Sequence, residues 1–259
     1  MVKGLYTAYT GMLNEQNRMD IMTNNLANAS TVGYKKESST SQSFDDVLTV
    51  KIKDQSVGMR NVQKIGIKNP GVKIGENYTD YSQGSFRITG NTYDLALSGE
   101  GFFAIEFTNK AGETDTKYTR AGQFTLNKDG YLVTEEGDYV LDTQNRRIRL
   151  NTLIDSSITD DGTIYQNGQA MAKIQVTDFA DYDYLEKYGE TYYQPIQGAQ
   201  TIASNAQVKS GYLEMANVQI VSEMVNLISI TRAYESNQKV VQTIDDTLDV
   251  AVNQIGRVQ

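Results

Sequence analysis

The sequence predicts an α+β fold: long helices at the two ends of the chain pair as a coiled coil, and a mainly antiparallel β domain is inserted between them. Three observations predict it. Near the front, Leu5, Met12, Met19 and Leu26 recur every seven residues, with Ala8, Met22 and Ala29 three positions on. Near the back, Ile220, Leu227, Tyr234, Val241, Leu248 and Ile255 do the same, with Ile230, Ile244, Ala251 and Val258 in the second register. Between them lie short apolar runs bounded by glycine-containing turn dipeptides. A stripe repeating every 3.5 residues keeps one helix face toward a partner helix. Strands that are not separated by long helical patterns argue against a parallel sheet.

Taken in order, the first helix runs from Lys3 to about Asn28 and contains no proline. Asn24, Asn25 and Asn28 crowd its end, where a short amide side chain can bond backbone outside the helix. Gly33 then supplies a residue that tolerates positive φ, and Lys35 and Lys36 follow in extended chain. Glu15, Glu223 and Asn237 fall at seam positions, where a polar residue weakens a coiled coil but fixes its register. Residues 35–76 read as an irregular β arm with a turn at Pro70-Gly71. From Asn77 onward the runs Phe102 to Phe107, Tyr131 to Val133 and Tyr139 to Leu141 read as strands, with hairpin turns at Asp129-Gly130, Asp161-Gly162 and Asn167-Gly168. The stretch from Phe179 to Gln200 is acidic and tyrosine-rich, and Pro195 breaks any helix there. The last helix begins after Gly211, with Asn217 or Ser222 as its cap. The expected division is residues 1–34 with 212–259 as the helical domain, 35–76 as the arm, and 77–211 as the inserted β domain.

Composition narrows the chemistry. The 259 residues include 32 acidic and 24 basic side chains, a net charge of -8. Binding to phosphate backbones or anionic surfaces needs clustered Lys and Arg, so neither nucleic acid nor membrane insertion is expected. The short cluster Arg146, Arg147 and Arg149 reads as a solvated strand face. The chain has no Cys and no His. That removes thiol nucleophiles, disulfides, Cys/His zinc sites and every Ser-His-Asp arrangement. Lys3 is followed by Thr7, Thr10, Asn14, Glu15 and Gln16 instead of the apolar core and cleavage site of a secretory signal. No run reaches the roughly 18 apolar residues of a membrane span.

The remaining catalytic candidates are carboxylates. Asp160-Asp161 precedes Gly162, where a turn explains both. Asp181 and Asp183 flank Tyr182, but a glycosidase needs two carboxylates set across a cleft, which adjacency does not supply. Asp181 to Leu185 fails the helical calcium loop at its fifth position, and Asn127 to Gly130 brings its glycine too early. Gly99-Glu100-Gly101 lacks the Lys and Ser/Thr of a phosphate loop. No catalytic residue, cofactor or metal is expected.

The segment Asn24-Asn25-Leu26-Ala27-Asn28-Ala29-Ser30-Thr31-Val32-Gly33-Tyr34-Lys35 closely resembles the N-terminal signature of bacterial flagellar rod and hook proteins. Leu97 to Phe103 and Tyr118 to Phe124 resemble the central domain of that family. Gly211 to Glu214, Asn217-Val218, Glu223 to Val225 and Arg232 to Glu235 resemble its C-terminal signature. Within the family, Arg232-Ala233-Tyr234-Glu235 and the length are most similar to the distal rod branch, with the proximal rod branch as the alternative; outside the family, the tyrosine-rich stretch would suit a cell-surface binding module. The resemblance implies a structural role. The terminal helices would pack with copies of the chain and with neighbouring rod and hook proteins in a tube that transmits torque. The chain would leave the cell through the flagellar type III export apparatus without a cleaved signal. It marks Asn25, Leu26, Ala27, Asn28, Gly33 and Tyr34 as the family motif.

Overall fold

The computed structural model describes residues 2–52, 62–109 and 112–255. It divides into two compact units. A helical unit takes Met1–Leu26, Glu37–Asp80 and Ile220–Gln259; a β unit takes Ala27–Lys36 and Tyr81–Gln219. This assigns the arm to the helices and gives the segment after the first helix to the β unit.

In the helical unit, α1 covers Val2–Ala27 and α2 covers Ile220–Val250, followed by a π-helical turn over Ala251–Ile255. Their sequences carry no proline to interrupt the backbone ladder. The arm is an antiparallel ribbon. Strands β1 (Glu37–Ser43) and β4 (Val72–Thr79) pair, as do β2 (Val47–Ile52) and β3 (Val62–Lys68), with bulges at Ser39/Ser41 and Thr49/Val50. The ribbon lies on α1 through polar contacts. Thr7 Oγ1 donates to Pro70 O at 3.2 Å, and Ser41 Oγ donates to Asn14 Oδ1 at 3.1 Å. Gly71 has φ +140°, and a Cβ there would overlap Thr10 Oγ1, so glycine is required for this approach.

Burial along α2 follows the expected stripe. Glu223, Leu227, Ile230, Tyr234, Asn237, Val241, Ile244, Leu248 and Ala251 are all buried or half-buried, a run of alternating four- and three-residue steps. Side chains of this stripe meet α1 at two places. A Cβ at Gly4 would sit 3.4 Å from Ile244 Cδ1, and one at Gly11 would sit 3.0 Å from Asn237 Nδ2. Ile220 departs from the stripe at 49% exposure. The two contacts pair 4 with 244 and 11 with 237, and in that antiparallel register position 220 falls one step past the end of α1. The side chain of Ile255 lies outside the described residues. On α1 the seam residues Leu5, Met12, Met19 and Leu26 are half-buried, while Ala8, Asn14, Ile21 and Asn25 are buried.

The β unit contains β5 (Phe86–Ile88), β6 (Leu95–Ser98), β7 (Phe102–Thr108), β8 (Thr114–Thr119), β9 (Phe124–Leu126), β10 (Leu132–Thr134) and β11 (Tyr139–Val140). Then come β12 (Ser156–Ile158), β13 (Thr163–Gln166), β14 (Gln169–Lys173), β15 (Val176–Phe179), β16 (Leu185–Tyr188), β17 (Tyr192–Pro195), β18 (Thr201–Ala203), β19 (Gln207–Ser210) and β20 (Tyr212–Glu214). A nine-stranded sheet runs β16-β17-β8-β7-β11-β10-β9, with β15 bridging β7 to β18. Smaller sheets join β12-β13-β14, β19-β6 and β20-β5, and every pairing described is antiparallel.

Successive residues of a strand point to opposite faces, and β7 uses this to serve two cores. Phe103 packs with Phe124, Leu132, Val140 and Ile148. Phe102 packs with Ala104, Tyr118, Phe179 and Tyr193. The tyrosine-rich stretch, read from the sequence as acidic chain, is part of this sheet: Tyr192 and Tyr193 are buried in β17, and the Tyr193 ring packs at a tilt with its centre 5.3 Å from that of Phe102.

The hairpin turns differ in kind from the expectation. Only Asn167-Gly168, with φ of 49° and 74°, places both residues at positive φ as the two-residue turn needs. Gly130, Gly137, Asn145 and Gly162 share another pattern. In each, the fourth residue of the turn has positive φ and its N–H donates to the carbonyl of the first: Gly130 to Asn127, Gly137 to Thr134, Asn145 to Asp142, Gly162 to Thr159; Gly112 donates to Asn109 in the same way. This is a three-residue loop with a glycine-type bulge, and it recurs through the β unit.

Candidate functional site

The motif stretches, far apart in sequence, meet at one buried carboxylate. Glu214 ends β20 and is fully buried. Its Oε1 accepts from Lys35 Nζ at 2.7 Å and from Gly84 N at 3.0 Å; its Oε2 accepts from Arg120 Nη1 at 3.3 Å. Lys35 is also fully buried and donates to Ser82 O at 2.8 Å. Arg120 is 3% exposed and lies 5.3 Å from the centre of the Phe102 ring. Charged groups this deep are stable only when paired and hydrogen-bonded. The segments that supply them are the Gly33-Tyr34-Lys35 end of the first motif, the Arg120 of the central motif and the Glu214 of the last.

The backbone around the node is fitted to it. Gly33 N donates to Glu214 O at 2.8 Å, and Val32 bridges to Met215. Gly33 has φ +71°, and a Cβ there would overlap the backbone of Arg120 and Ala121. Tyr34 is fully buried, with Lys187 Nζ 4.2 Å from its ring centre. Asn217 Oδ1 accepts from Lys36 N at 2.7 Å, and its amide donates to Ser82 Oγ at 3.0 Å. Asn217 therefore serves the node and does not cap α2, which begins at Ile220. Gly33→Ala is expected to destabilise the β unit by at least about 1–3 kcal/mol, from the strained φ alone. A lowered urea midpoint with unchanged m-value checks this.

The remaining motif residues sit close by in sequence but do different work. Asn25 is fully buried in the helical unit, where its Nδ2 donates to Glu37 O at 2.7 Å and its Oδ1 accepts from Glu37 N at 2.9 Å. One amide side chain thus imitates a strand partner for β1. Ala27 closes α1, Leu26 is half-buried, and Asn28 is buried with its carbonyl and side-chain oxygens accepting from Thr31.

The acidic candidates resolve into structure. Asp161 accepts from Thr163 Oγ1 at 3.1 Å and from Lys173 Nζ at 3.4 Å in its turn. Asp181 caps a short 3₁₀ turn by accepting from Asp183 N. Arg147 forks onto Glu106 at 2.6 and 2.9 Å, and that hydrogen bond holds the Glu106 carboxyl below the usual range. Burial pushes the phenols of Tyr182 and Tyr192 above the usual range, so neither offers a phenolate. Among the described residues no group of three or more Asp or Glu is placed to hold a metal, and no helix is long and apolar enough to cross a membrane.

Each helix also carries a second apolar stripe that faces solvent. On α2 it is Val221, Met224, Val225 and Ile228, at 77, 50, 57 and 52% exposure; on α1 it is Tyr6, Tyr9 and Leu13, at 62, 51 and 43%. Ile21, which the heptads place off the seam with Tyr6 and Tyr9, is instead buried at 8%.

Three family models match in order along the chain. Residues 5–35 match "Flagella basal body rod protein", 96–168 match "Flagellar hook protein FlgE/F/G D1 domain", and 209–255 match "Flagellar basal body rod FlgEFG protein C-terminal". The chain is 34% identical to the flagellar basal-body rod protein FlgG of Bacillus subtilis, over 98% of this chain and 99% of that one. It is 32% identical to the rod protein FlgF of Caulobacter vibrioides over the full length of both, and 30% identical, likewise over both full lengths, to the flagellar hook-basal body complex protein FlhO of Bacillus subtilis.

Proposed function

The chain belongs to the flagellar basal-body rod and hook protein family, and from that premise we propose that it is the distal rod subunit, which assembles with copies of itself into a helical tube that carries torque from motor to hook. It is a structural protein of the basal-body rod and not an enzyme. The observation that carries the reading is the match to FlgG over nearly the whole of both chains. The identity to FlgF is only slightly lower and equally complete, so the proximal rod is the second reading.

The helices support self-association. A helix with one apolar stripe buries it within its own unit; a second exposed stripe on each of α1 and α2 is surface that calls for another chain. The contacts at Gly4 and Gly11 give α1 and α2 opposite directions and a seven-residue repeat, and we read them as two steps of a coiled coil. Head-to-tail contacts that do not close into a ring produce an open helical filament. Membership of the family is what supports passage through the flagellar export apparatus.

Labelled protein expressed in a strain lacking its own copy is the test. Electron microscopy of purified basal bodies is expected to find the label along the distal rod. Label confined to the proximal rod selects the second reading, and label absent from the rod refutes both.

A further inference from the structure

We propose that the β unit carries a binding groove for a neutral oligosaccharide, on the face of the sheet where β8, β7, β15 and β18 lie side by side. The groove has a volume of about 470 Å³ and lies wholly within the β unit. Sites for small ligands span roughly 300–1,000 Å³. Its walls follow from strand alternation. Thr116 and Tyr118 stand two apart on β8, Gln175 and Thr177 two apart at the start of β15, and Thr201 and Ala203 two apart on β18. Each pair therefore projects to one face. Tyr118 is opposite Ala104 of β7, Gln175 O accepts from Ala104 N at 3.2 Å, and Thr177 is opposite Ala203. Only a methyl group stands between the phenol and the amide in that row, which leaves room between them.

The chemistry of the lining selects the ligand. The chain has 32 acidic and 24 basic side chains, yet among the described residues none of either kind lines this groove. Gln175 Oε1 is buried and accepts no hydrogen bond among the described residues. The backbone that carries it is fixed, with Gln175 N donating to Leu141 O at 3.0 Å. Tyr118 and Thr177 are 8% and 9% exposed, and among the described residues neither hydroxyl makes a hydrogen bond. Buried polar groups without partners are costly and few in native proteins. Three that converge on one groove are polar anchors for a ligand that completes them. Such a ligand carries closely spaced neutral donors and acceptors. A sugar ring does so through its hydroxyls, and its C–H face suits the apolar lining at Val176 and Ile202. A second groove of about 360 Å³ shares Thr143 and Val176 with the first, so the path runs on beyond one ring and suits a chain of sugars. There Asp161 pairs with Lys173, and Asp160 offers a further acceptor for hydroxyls. A peptide strand fits less well. It would add to the edge of β18 through backbone groups, whereas the unmet groups are side chains on the face of the sheet. The groove is independent of the rod role proposed above.

Saturation-transfer NMR on the purified full-length chain tests this, with chitotetraose, cellotetraose and maltotetraose as probes. At least one of the three is expected to bind saturably at millimolar concentration or below. Gln175→Leu and Thr177→Val should each weaken that binding by about ten-fold or more, because each leaves a group of the bound sugar without its partner. Thr125→Val, at an exposed position of β9, should leave it unchanged. The urea midpoint separates a ligand role from a structural one. Gln175→Leu removes a buried oxygen that the chain itself does not satisfy, so the midpoint should hold or rise while binding falls. A glutamine that served only the fold would lower the midpoint when replaced. The groove is refuted if none of the three sugars binds saturably, or if both variants bind as wild type does. It is equally refuted if Gln175→Leu lowers the urea midpoint, or if a threonine–valine repeat peptide binds saturably and the sugars do not.

Discussion

Replacing Ile230 with Asp is expected to abolish swimming while leaving the β unit folded. Ile230 is 2% exposed in the middle of the buried stripe of α2. Losing its packing costs about 2–5 kcal/mol, and burying an unpaired carboxylate in its place adds several more. Neither core of the β unit draws a residue from α2, so the damage should stay in the helical unit. Soft-agar motility and near-ultraviolet circular dichroism read the two halves of this prediction. Val221→Asp is the informative companion. Val221 is 77% exposed, so its replacement should leave the isolated chain unchanged and still block rod assembly. Normal swimming by the Ile230→Asp strain would remove the basis for placing this stripe at the centre of the helical unit.

The stripe on α2 was legible because its apolar residues repeat in strict heptads, and burial follows them from Glu223 to Ala251. The face of α1 was less so. Its buried positions include Asn14 and Asn25, and amides at helical spacing read as a wet face. They are buried because they answer the backbone and hydroxyls of the ribbon: Asn14 accepts from Ser41, and Asn25 pairs with both backbone groups of Glu37. A ribbon lying along a helix leaves no periodic apolar signature of its own.

The ionic node was not legible at all, although its residues stand inside the motif stretches. Lys35 and Glu214 are 179 residues apart and Arg120 is 94 from Glu214. A lone charge in an extended segment reads as solvated, and only the fold places three of them within 3.3 Å contacts in the interior. The one local signal was Gly33, whose positive φ permits the close approach to Ala121. Likewise Asp-Gly pairs announced turns but not their type, since the added residue of the bulged loop shows only in the hydrogen bonds.

In the free chain both terminal helices are expected to be largely unfolded and to form on assembly. The two helices contain 26 and 31 residues. Fixing the backbone costs about 1–2 kcal/mol for every residue, and helices in proteins owe most of their stability to packing of an apolar face. Among the described residues, the buried apolar side chains of the helical unit are Ala8, Ile21 and Ile230, whereas the β unit buries Phe102, Phe103, Phe124, Tyr193 and many more. The stripes Tyr6-Tyr9-Leu13 and Val221-Met224-Val225-Ile228 remain in water until a neighbour covers them. An ordering cost spread over two long helices and offset by so few buried side chains favours the unfolded ends; covering the second stripe on each helix reverses the balance. Amide hydrogen exchange at concentrations where the protein is monomeric decides the point. Met12 to Leu26 and Val240 to Leu248 should exchange near the unprotected rate, while β7 and β8 are protected in the same sample. In the assembled rod the helical amides should become protected as well. Strong protection of both helices in the monomer would mean that α1, α2 and the ribbon form a stable unit unaided, and that the exposed stripes are not what drives their ordering.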